Sequence, residues 1–305
     1  MRYVLITPAR NEEKYIEGTI RSVVAQSVLP ERWVIVDDGS TDRTAEIVRN
    51  FAAHYPWIDL VRRPQRTDRN FAGKVHAFNA GLERVRSLEF NVLGNLDSDV
   101  SFQADYLAFL LHKFEADPKL GVAGTPFVEE GYDSGKDSFE GENHVAGACQ
   151  LFRYECFLDV GGFIPNRSGG VDWIAVTTAR MKGWKTRSFP EKRILHHRPI
   201  GTAERNEVSA MYAHGQKDYC LGGSPVWQVV RAGYRMTKKP IVLGGMALLL
   251  GYCSAAIRRA KRPVTKELMQ FHRQEQMKKL GSILHALLRF KKVDNFSLTQ
   301  KEQEA

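Results

Sequence analysis

Over the first 125 residues short apolar runs alternate with amphipathic stretches of helical period, and this rhythm leaves few folds open. Tyr3 to Thr7 reads as a strand, and Asn11 can cap a helix to about Ser27 with Ile16, Ile20, Val23 and Val24 on one face. Trp33 to Asp37 is a second strand, after which Ser40, Thr41 or Asp42 can cap a helix from Ala45 to Tyr55. A strand at Ile58 to Arg62 and a helix from about Gly73 to Val85 follow, then a strand from Asn91 to Leu96 ending at Asp97. A helix from Ala104 to Glu115 and a strand from Leu120 to Thr125 complete the pattern. Helical crossovers of this length pair successive strands in parallel, so an α/β protein with a mostly parallel sheet flanked by helices is expected.

The rhythm stops after Thr125. Pro126 to Val145 is rich in glycine and acid and too long for an ordinary connection, so it is expected to be a mobile loop or lid. Structure is expected to resume with Gly147 to Arg153, a helix from Tyr154 to Val160 and a loop through Gly161, Gly162, Gly169 and Gly170. A helix from Asp172 to Lys182 and two short strands ending near His196 follow.

Composition matters mainly for what it excludes. With 305 residues, 43% of them apolar and 26% charged, the chain is neither disordered, collagenous nor a small disulfide scaffold. Its 4 cysteines form no CxxC or zinc-type cluster, which fits a reducing, cytoplasmic setting. Met1 to Thr7 runs straight into a strand, so no signal peptide is expected there. The formal charge of +9 suggests an anionic partner until it is located. Residues 258 to 305 hold 12 Lys/Arg against 5 Asp/Glu, leaving 32 against 30 in the body. A near-neutral body with a basic tail argues against nucleic acid as a partner and turns attention to the segment before the tail. Ile241 to Ile257 carries no charge over 17 residues, and Arg258, Arg259, Lys261 and Arg262 follow it. At ~1.5 Å per residue it covers about 25 Å, short of a ~30 Å hydrocarbon core. Two readings stand: a helix buried on the protein, or one associated with an anionic membrane surface on the cytoplasmic face, peripheral or partly inserted. The expected organisation is a first region 1–200, in two halves 1–125 and 126–200, followed by a helical region 201–305.

Open parallel sheets bind ligands at the carboxyl ends of their strands, and the polar residues of this chain gather there. The first strand leads into Pro8, Arg10 and Glu12, the second into Asp37 and Asp38, and the Asn91 strand into Asp97, Ser98 and Asp99. A Rossmann GxGxxG and a P-loop are both absent, which excludes the usual nicotinamide enzymes and NTPases. Asp97 and Asp99 after an apolar strand suit a hard cation such as Mg²⁺ or Mn²⁺, which prefers carboxylates together with phosphate oxygens. The bland alternative is a turn in which Asp caps backbone N–H groups. Asp37 and Asp38 can accept hydrogen bonds from a base or ribose hydroxyl, with one of the pair capping the Ala45 helix instead. Lys74 can reach a phosphate or a nucleobase, or simply face solvent. Asp172, after two glycines and before an apolar helix, is either a proton acceptor or an N-cap.

The segments TPARNEE, VIVDDGSTD, FAGKVHAFNAGL, NLDSD, VGGF and GGVDWIAVTTARMKGWKT, in this order and spacing, resemble the GT-A fold glycosyltransferases of family 2 over about residues 1 to 200. The resemblance implies a Rossmann-like sheet and inverting, metal-dependent transfer of a sugar, hexosyl in character, from a nucleoside diphosphate donor, with 1–200 as the catalytic domain, 1–125 its nucleotide-sugar binding half and 126–200 its acceptor-binding and catalytic half. Pro8, Arg10 and Glu12 match the family's first nucleotide-contacting loop, usually P-A-Y-N-E, with Arg10 in place of the tyrosine. An arginine plane can also stack on a base. Asp37 and Asp38 match the acidic pair that reads base and ribose, and Ser98 lies within the matched donor-binding segment. Asp97 and Asp99 match the D-x-D motif that holds Mn²⁺ or Mg²⁺. Asp172 matches the second acid of the family's E-D pair, the catalytic base, and Val171 stands where the first acid is usual. His196 or His197 resembles the histidine that completes the metal or diphosphate site, with His196 taken as the ligand. Adjacent histidines in an extended chain point to opposite faces, so one of the two is expected in the site. Trp173 and Trp184 read as packing residues.

The implied product class is a cell-surface polysaccharide or glycolipid, with a glycan or lipid-linked acceptor. The competing readings are a sugar transferase acting on a polyprenyl phosphate, a nucleotidyltransferase sharing the sheet and metal, and a non-catalytic membrane or nucleic-acid adaptor.

Overall fold

A computed structural model describes residues 1–65, 71–137, 141–166, 169–198 and 207–289. The chain forms two compact units, Met1–Arg198 and Pro199–Ala305. In the first, β1 (Tyr3–Ala9), α1 (Ile16–Val24), β2 (Arg32–Asp37), α2 (Thr44–His54), β3 (Ile58–Arg62), α3 (Phe71–Val85) and β4 (Val92–Leu96) follow the alternating pattern closely. Then come β5 (Val100–Ser101), α4 (Tyr106–Ala116), β6 (Leu120–Gly124), β7 (Phe127–Glu129), β8 (Tyr132–Asp133), α5 (Ser134–Asp137) and β9 (Cys149–Arg153). The unit ends with α6 (Tyr154–Asp159), α7 (Val171–Met181), β10 (Lys185–Ser188) and β11 (Ile194–His196).

The main sheet has the order β10-β6-β9-β4-β1-β2-β3. β1 pairs in parallel with both β2 and β4, β2 with β3, and β6 with β10. Alternation along β1 and β2 explains how the sheet is covered on both faces: Tyr3, Leu5, Trp33 and Ile35 join the cluster with Ile16, Ile20 and Val48 of α1 and α2. Val4, Ile6, Val34 and Val36 join Val75 and Phe78 of α3 on the other side. A strand buried on both faces must be apolar at nearly every position, which is why the runs stood out in the sequence.

β9 lies antiparallel between β4 and β6, with Leu93 opposite Phe152 and Ala123 opposite Leu151, and the sheet is mostly parallel, as expected. Two local expectations need correction. The stretch after Thr125 is not a plain loop. Phe127 is buried, its N–H is accepted by Ser134 Oγ at 2.8 Å, and β7 pairs with both β8 and the distant β11. Together with β5 these strands form a second sheet, β5-β11-β7-β8, and residues 138–140 lie outside the described residues. Asn11 does not cap α1: it takes a left-handed φ of 55°, and its Oδ1 accepts the N–H of Thr41 at 2.9 Å. Asp42 serves α2, its Oδ1 accepting the N–H of Thr44 at 3.0 Å.

The second unit contains α8 (Glu207–Cys220), α9 (Pro225–Met236), α10 (Leu243–Ile257) and α11 (Lys266–Leu288). Trp227, Leu248, Tyr252 and Leu268 are buried within it. Among the described residues no helix is long and apolar enough to cross a membrane.

Candidate active site

β1 lies between β2 and β4, so the crossovers leave it in opposite directions and open a crevice at the carboxyl ends of these strands. All the strand-end carboxylates are delivered there. Asp97 N–H donates to the carbonyl of Ala148 at 2.9 Å, which ties the end of β4 to the approach of β9. Ser98 and Asp99 are buried as the chain turns into β5, and β5 pairs antiparallel with β11, so His196 sits opposite Val100.

That pairing assembles three ligand-type groups. One carboxylate oxygen each from Asp97 and Asp99 and a ring nitrogen of His196 lie within 4.8 Å of one another. His196 Nε2 is 3.5 Å from Asp99 Oδ1, while its Nδ1 faces Glu129 Oε2 at 3.5 Å. The histidine is buried, and among the described residues Nδ1 has no hydrogen-bond partner. Two hard oxygen donors and an imidazole whose far nitrogen faces the Glu129 carboxylate, as outer carboxylates back metal-binding histidines, fit Mn²⁺ or Mg²⁺. His197 points the other way, exposed, with Nε2 2.8 Å from Ser101 Oγ and its ring stacked on Tyr15.

Two cations answer the carboxylates. Lys74, in the first turns of α3, donates from Nζ to Asp97 Oδ1. Burial opposes the charge on Lys74, but Asp97, then Asp172 and Asp99, outweigh it and hold the ammonium pKa above its ordinary value. Lys74 thus combines the two readings, its Nζ paired with Asp97 while 40% of its side chain remains exposed. Arg198 was not singled out from the sequence. Its Nε donates to Asp99 Oδ2 at 3.1 Å and its Nη2 to the carboxylate of Glu12, across 186 residues. Burial works against the guanidinium charge, and Glu12 and Asp99 more than restore it. Burial in turn pushes the Glu12 carboxyl up, against the pull of Arg198. The signal available was the position of Arg198, directly after the two histidines. Glu129, at the end of β7, was also missed, because its strand lies in the stretch read as a loop.

Asp172 stands in the first turn of α7, whose N-cap is Gly170 in the left-handed conformation at φ 79°. The N-cap alternative for Asp172 is thereby set aside. A Cβ built on Gly147 would lie 3.0 Å from Asp172 Oδ2, so the carboxylate rests against the chain just ahead of β9. Gly147 carbonyl also accepts from Asn95 Nδ2 of β4 at 2.9 Å, which brings Asp172 beside the end of that strand. Among Glu12, Asp97, Asp99, Asp172, Lys74 and Arg198 the carboxylates outnumber the fixed cations.

The acidic pair after β2 divides differently from expectation. Asp37 is fully buried, its Oδ1 accepting Ser40 N–H at 2.9 Å and its Oδ2 Arg62 Nε at 3.1 Å. Asp38 pairs with Arg63. Neither serves the start of α2, which Asp42 has taken. Pro8 is partly buried and in register with Val36, and Arg10 follows at the carboxyl end of β1. Trp173 is buried and Trp184 Nε1 donates to Asp159 at 2.9 Å, as packing residues do.

Comparison with known proteins bears on the family and the fold. The chain is 33% identical over 119 residues to the 4,4'-diaponeurosporenoate glycosyltransferase of Staphylococcus aureus, 39% of this chain and 29% of that protein. It is 26% identical over 175 residues to the poly-beta-1,6-N-acetyl-D-glucosamine synthase of the same species, 50% of this chain and 39% of that protein. These matches span well under half the length of the curated relatives. Among solved structures, the mannosyltransferase PcManGT from Pyrobaculum calidifontis, in complex with GDP-Man and Mn²⁺, superposes with a TM-score of 0.55 at 20% identity, over 94% of this chain and 80% of that one. Residues 1–349 of S. aureus TarS, in complex with UDP-GlcNAc, superpose with a TM-score of 0.54 at 16% identity, over 100% and 92%. At these identities the likeness is one of fold, a GT-A sheet flanked by helices. The sequence profile described as Glycosyl transferase family 2 matches residues 4–156, half of the chain, and the chain belongs to that family.

Proposed function

We propose that this protein transfers a sugar, with inversion, from a nucleoside diphosphate sugar to an acceptor hydroxyl on a glycan or lipid-linked saccharide of the cell surface. The observation that carries the reading is the convergence of Asp97, Asp99 and His196 within 4.8 Å at the carboxyl end of the sheet, with Lys74 and Arg198 beside them. Four relatives or neighbours of the chain bear on the substrate class: two are named for glycosyl transfer or glycan synthesis, and two were solved with GDP-Man or UDP-GlcNAc.

Asp97, Asp99 and His196 would hold a divalent cation, which would supply charge neutralisation to the departing diphosphate. The protein's own groups do the rest. Lys74, kept charged by its carboxylate neighbours, contributes a second positive group on the same side of the site. Asp37 and Asp38, fixed by Arg62 and Arg63, form the wall at the end of β2 where base and ribose are read, next to the end of β1, which carries Pro8 and leads into Arg10. Asp172 accepts the acceptor hydroxyl's proton as the new bond forms opposite the leaving group. Its place in the first turn of α7, after a glycine cap, gives the carboxylate a fixed backbone origin, and Gly147 leaves room for it.

The test is a thermal-shift panel of UDP, GDP, dTDP and CDP with and without Mn²⁺, since a ligand that binds only the folded protein raises its melting temperature. One base should stand out and its effect should need the ion. The matching nucleotide sugar should then release nucleoside diphosphate, not pyrophosphate, in the presence of an acceptor saccharide. A panel with no stabilising nucleotide, or one indifferent to Mn²⁺ and chelator, overturns the proposal.

A further inference from the structure

α10 has two faces of different character. Gly244, Gly245, Ala247, Leu248, Gly251, Tyr252 and Ala255 are buried. The packing behind them is tight: a Cβ on Gly251 would lie 2.0 Å from the carbonyl oxygen of Tyr212 in α8, and one on Gly245 2.3 Å from that of Ala232 in α9. Leu243, Met246, Leu250, Cys253 and Ile257, spaced alternately by three and four residues, are exposed instead, Leu250 at 58% and Ile257 at 83%. At about 100° per residue they fall within roughly 80° of arc, a single stripe along the helix. Such a stripe on an otherwise packed helix marks an interaction surface.

The charge around it selects the partner. From Tyr219 to Lys266 the chain carries nine Lys/Arg and not one Asp or Glu. Lys238 and Lys239 are exposed before the stripe begins, and Arg258, Arg259 and Lys261 are exposed where it ends. A second copy of the same stripe is disfavoured, because cations meet cations whether two α10 helices pair parallel or antiparallel. Nucleic acid matches the charge but offers nothing to the apolar side chains. An anionic bilayer matches both, taking the apolar side chains at the acyl boundary and the cations at the headgroups. The 15 residues of α10 extend about 22 Å, and its inner face is already committed to α8 and α9, so the helix lies along a bilayer and does not cross it.

We propose that the exposed face of α10 is an interfacial surface for anionic phospholipid headgroups, with Leu243, Met246, Leu250 and Ile257 inserted and Lys238, Lys239, Arg258, Arg259 and Lys261 flanking them. This surface stands apart from the glycosyl-transfer reading and is tested without donor or acceptor.

The experiment is flotation of the full chain with vesicles of phosphatidylcholine alone and of phosphatidylcholine mixed with phosphatidylglycerol. The protein should float with the mixed vesicles only, and less as salt rises. Changing Arg258, Arg259 and Lys261 together to Gln should weaken that binding about 100-fold, at the usual contribution of a cation near an anionic surface. Leu250→Gln with Ile257→Gln should abolish it, while circular dichroism confirms an unchanged melt, because both side chains are exposed. Equal flotation with neutral vesicles, no flotation with either, or full binding by the Leu250/Ile257 variant overturns the proposal. So does a dimer in sedimentation velocity that the same variant converts to monomer, which would assign the stripe to a second copy.

Discussion

Replacing Arg198 with glutamine should make the free protein bind Mn²⁺ more tightly while making the ion-free protein less stable. Arg198 holds Asp99 Oδ2 at 3.1 Å and also pairs with Glu12, so it occupies the charge environment that a divalent ion would use. A pair of unit charges near 4 Å apart is worth about 4 kcal/mol at an effective dielectric near 20. The Arg198 side chain is 25% exposed, and solvent screening reduces the figure to about 2 kcal/mol. Without the guanidinium, Mn²⁺ no longer competes for Asp99, and an affinity gain of about 30-fold follows from about 1.4 kcal/mol per decade. The same loss leaves Glu12 and Asp99, both buried, without their shared cation, which costs the ion-free protein about 2 kcal/mol. For a unit of this size that lowers the melting temperature by about 4 to 8 °C. Mn²⁺ titration followed by electron paramagnetic resonance, with melts in chelator and in saturating Mn²⁺, reads both effects. The melting gap should close when the ion is present. Unchanged or weaker Mn²⁺ binding by Arg198→Gln would refute the idea that arginine and metal share Asp99.

Other perturbations probe separate parts of the chain. Asp172→Asn should lower transfer by about 10²- to 10⁴-fold, the usual contribution of a general base, and leave the Mn²⁺-dependent nucleotide shift in place; ordinary turnover would remove Asp172 as the base. Gly147→Ala puts a methyl group 3.0 Å from Asp172 Oδ2 and should reduce turnover more than nucleotide binding, as separate kinetic and thermal-shift measurements would show. Gly251→Ala drives a methyl group to 2.0 Å from Tyr212 carbonyl and should destabilise the helical unit by about 1 to 3 kcal/mol or more in urea unfolding. Cys149 and Cys156 are buried with their thiols pushed up to about 12 by burial, and Cys220 is buried as well, so iodoacetamide at neutral pH should label Cys253 alone in the native protein, counted by mass spectrometry.

Much of the first unit was legible because its information is local. The apolar strands of β1 to β4 and the helices between them follow from period and length, and Asp37, Asp38, Asp97 and Asp99 are readable as site candidates because each directly follows a buried strand. What stayed hidden depends on contacts between distant segments. Phe127 and Glu129 looked like loop residues because β7 gains its partner from β11, nearly seventy residues on in the chain. β9 is as apolar as the parallel strands, so nothing in its composition announces that it runs the other way between β4 and β6. Asn11 has a good cap side chain, yet the backbone there turns left-handed and the helix begins only at Ile16.

The order of side chains along this chain determined which strands could be buried, where carboxylates would emerge from them, and that 241–257 would form an apolar helix. Tertiary structure alone decided that His196, not His197, faces Asp99, that Arg198 bridges Glu12 and Asp99, and which residues of α10 remain in solvent. The physical reason is one of range: period and capping act over a few residues, whereas ion pairs and helix packing depend on which distant segments the sheet and the bundle bring within a few ångströms of one another.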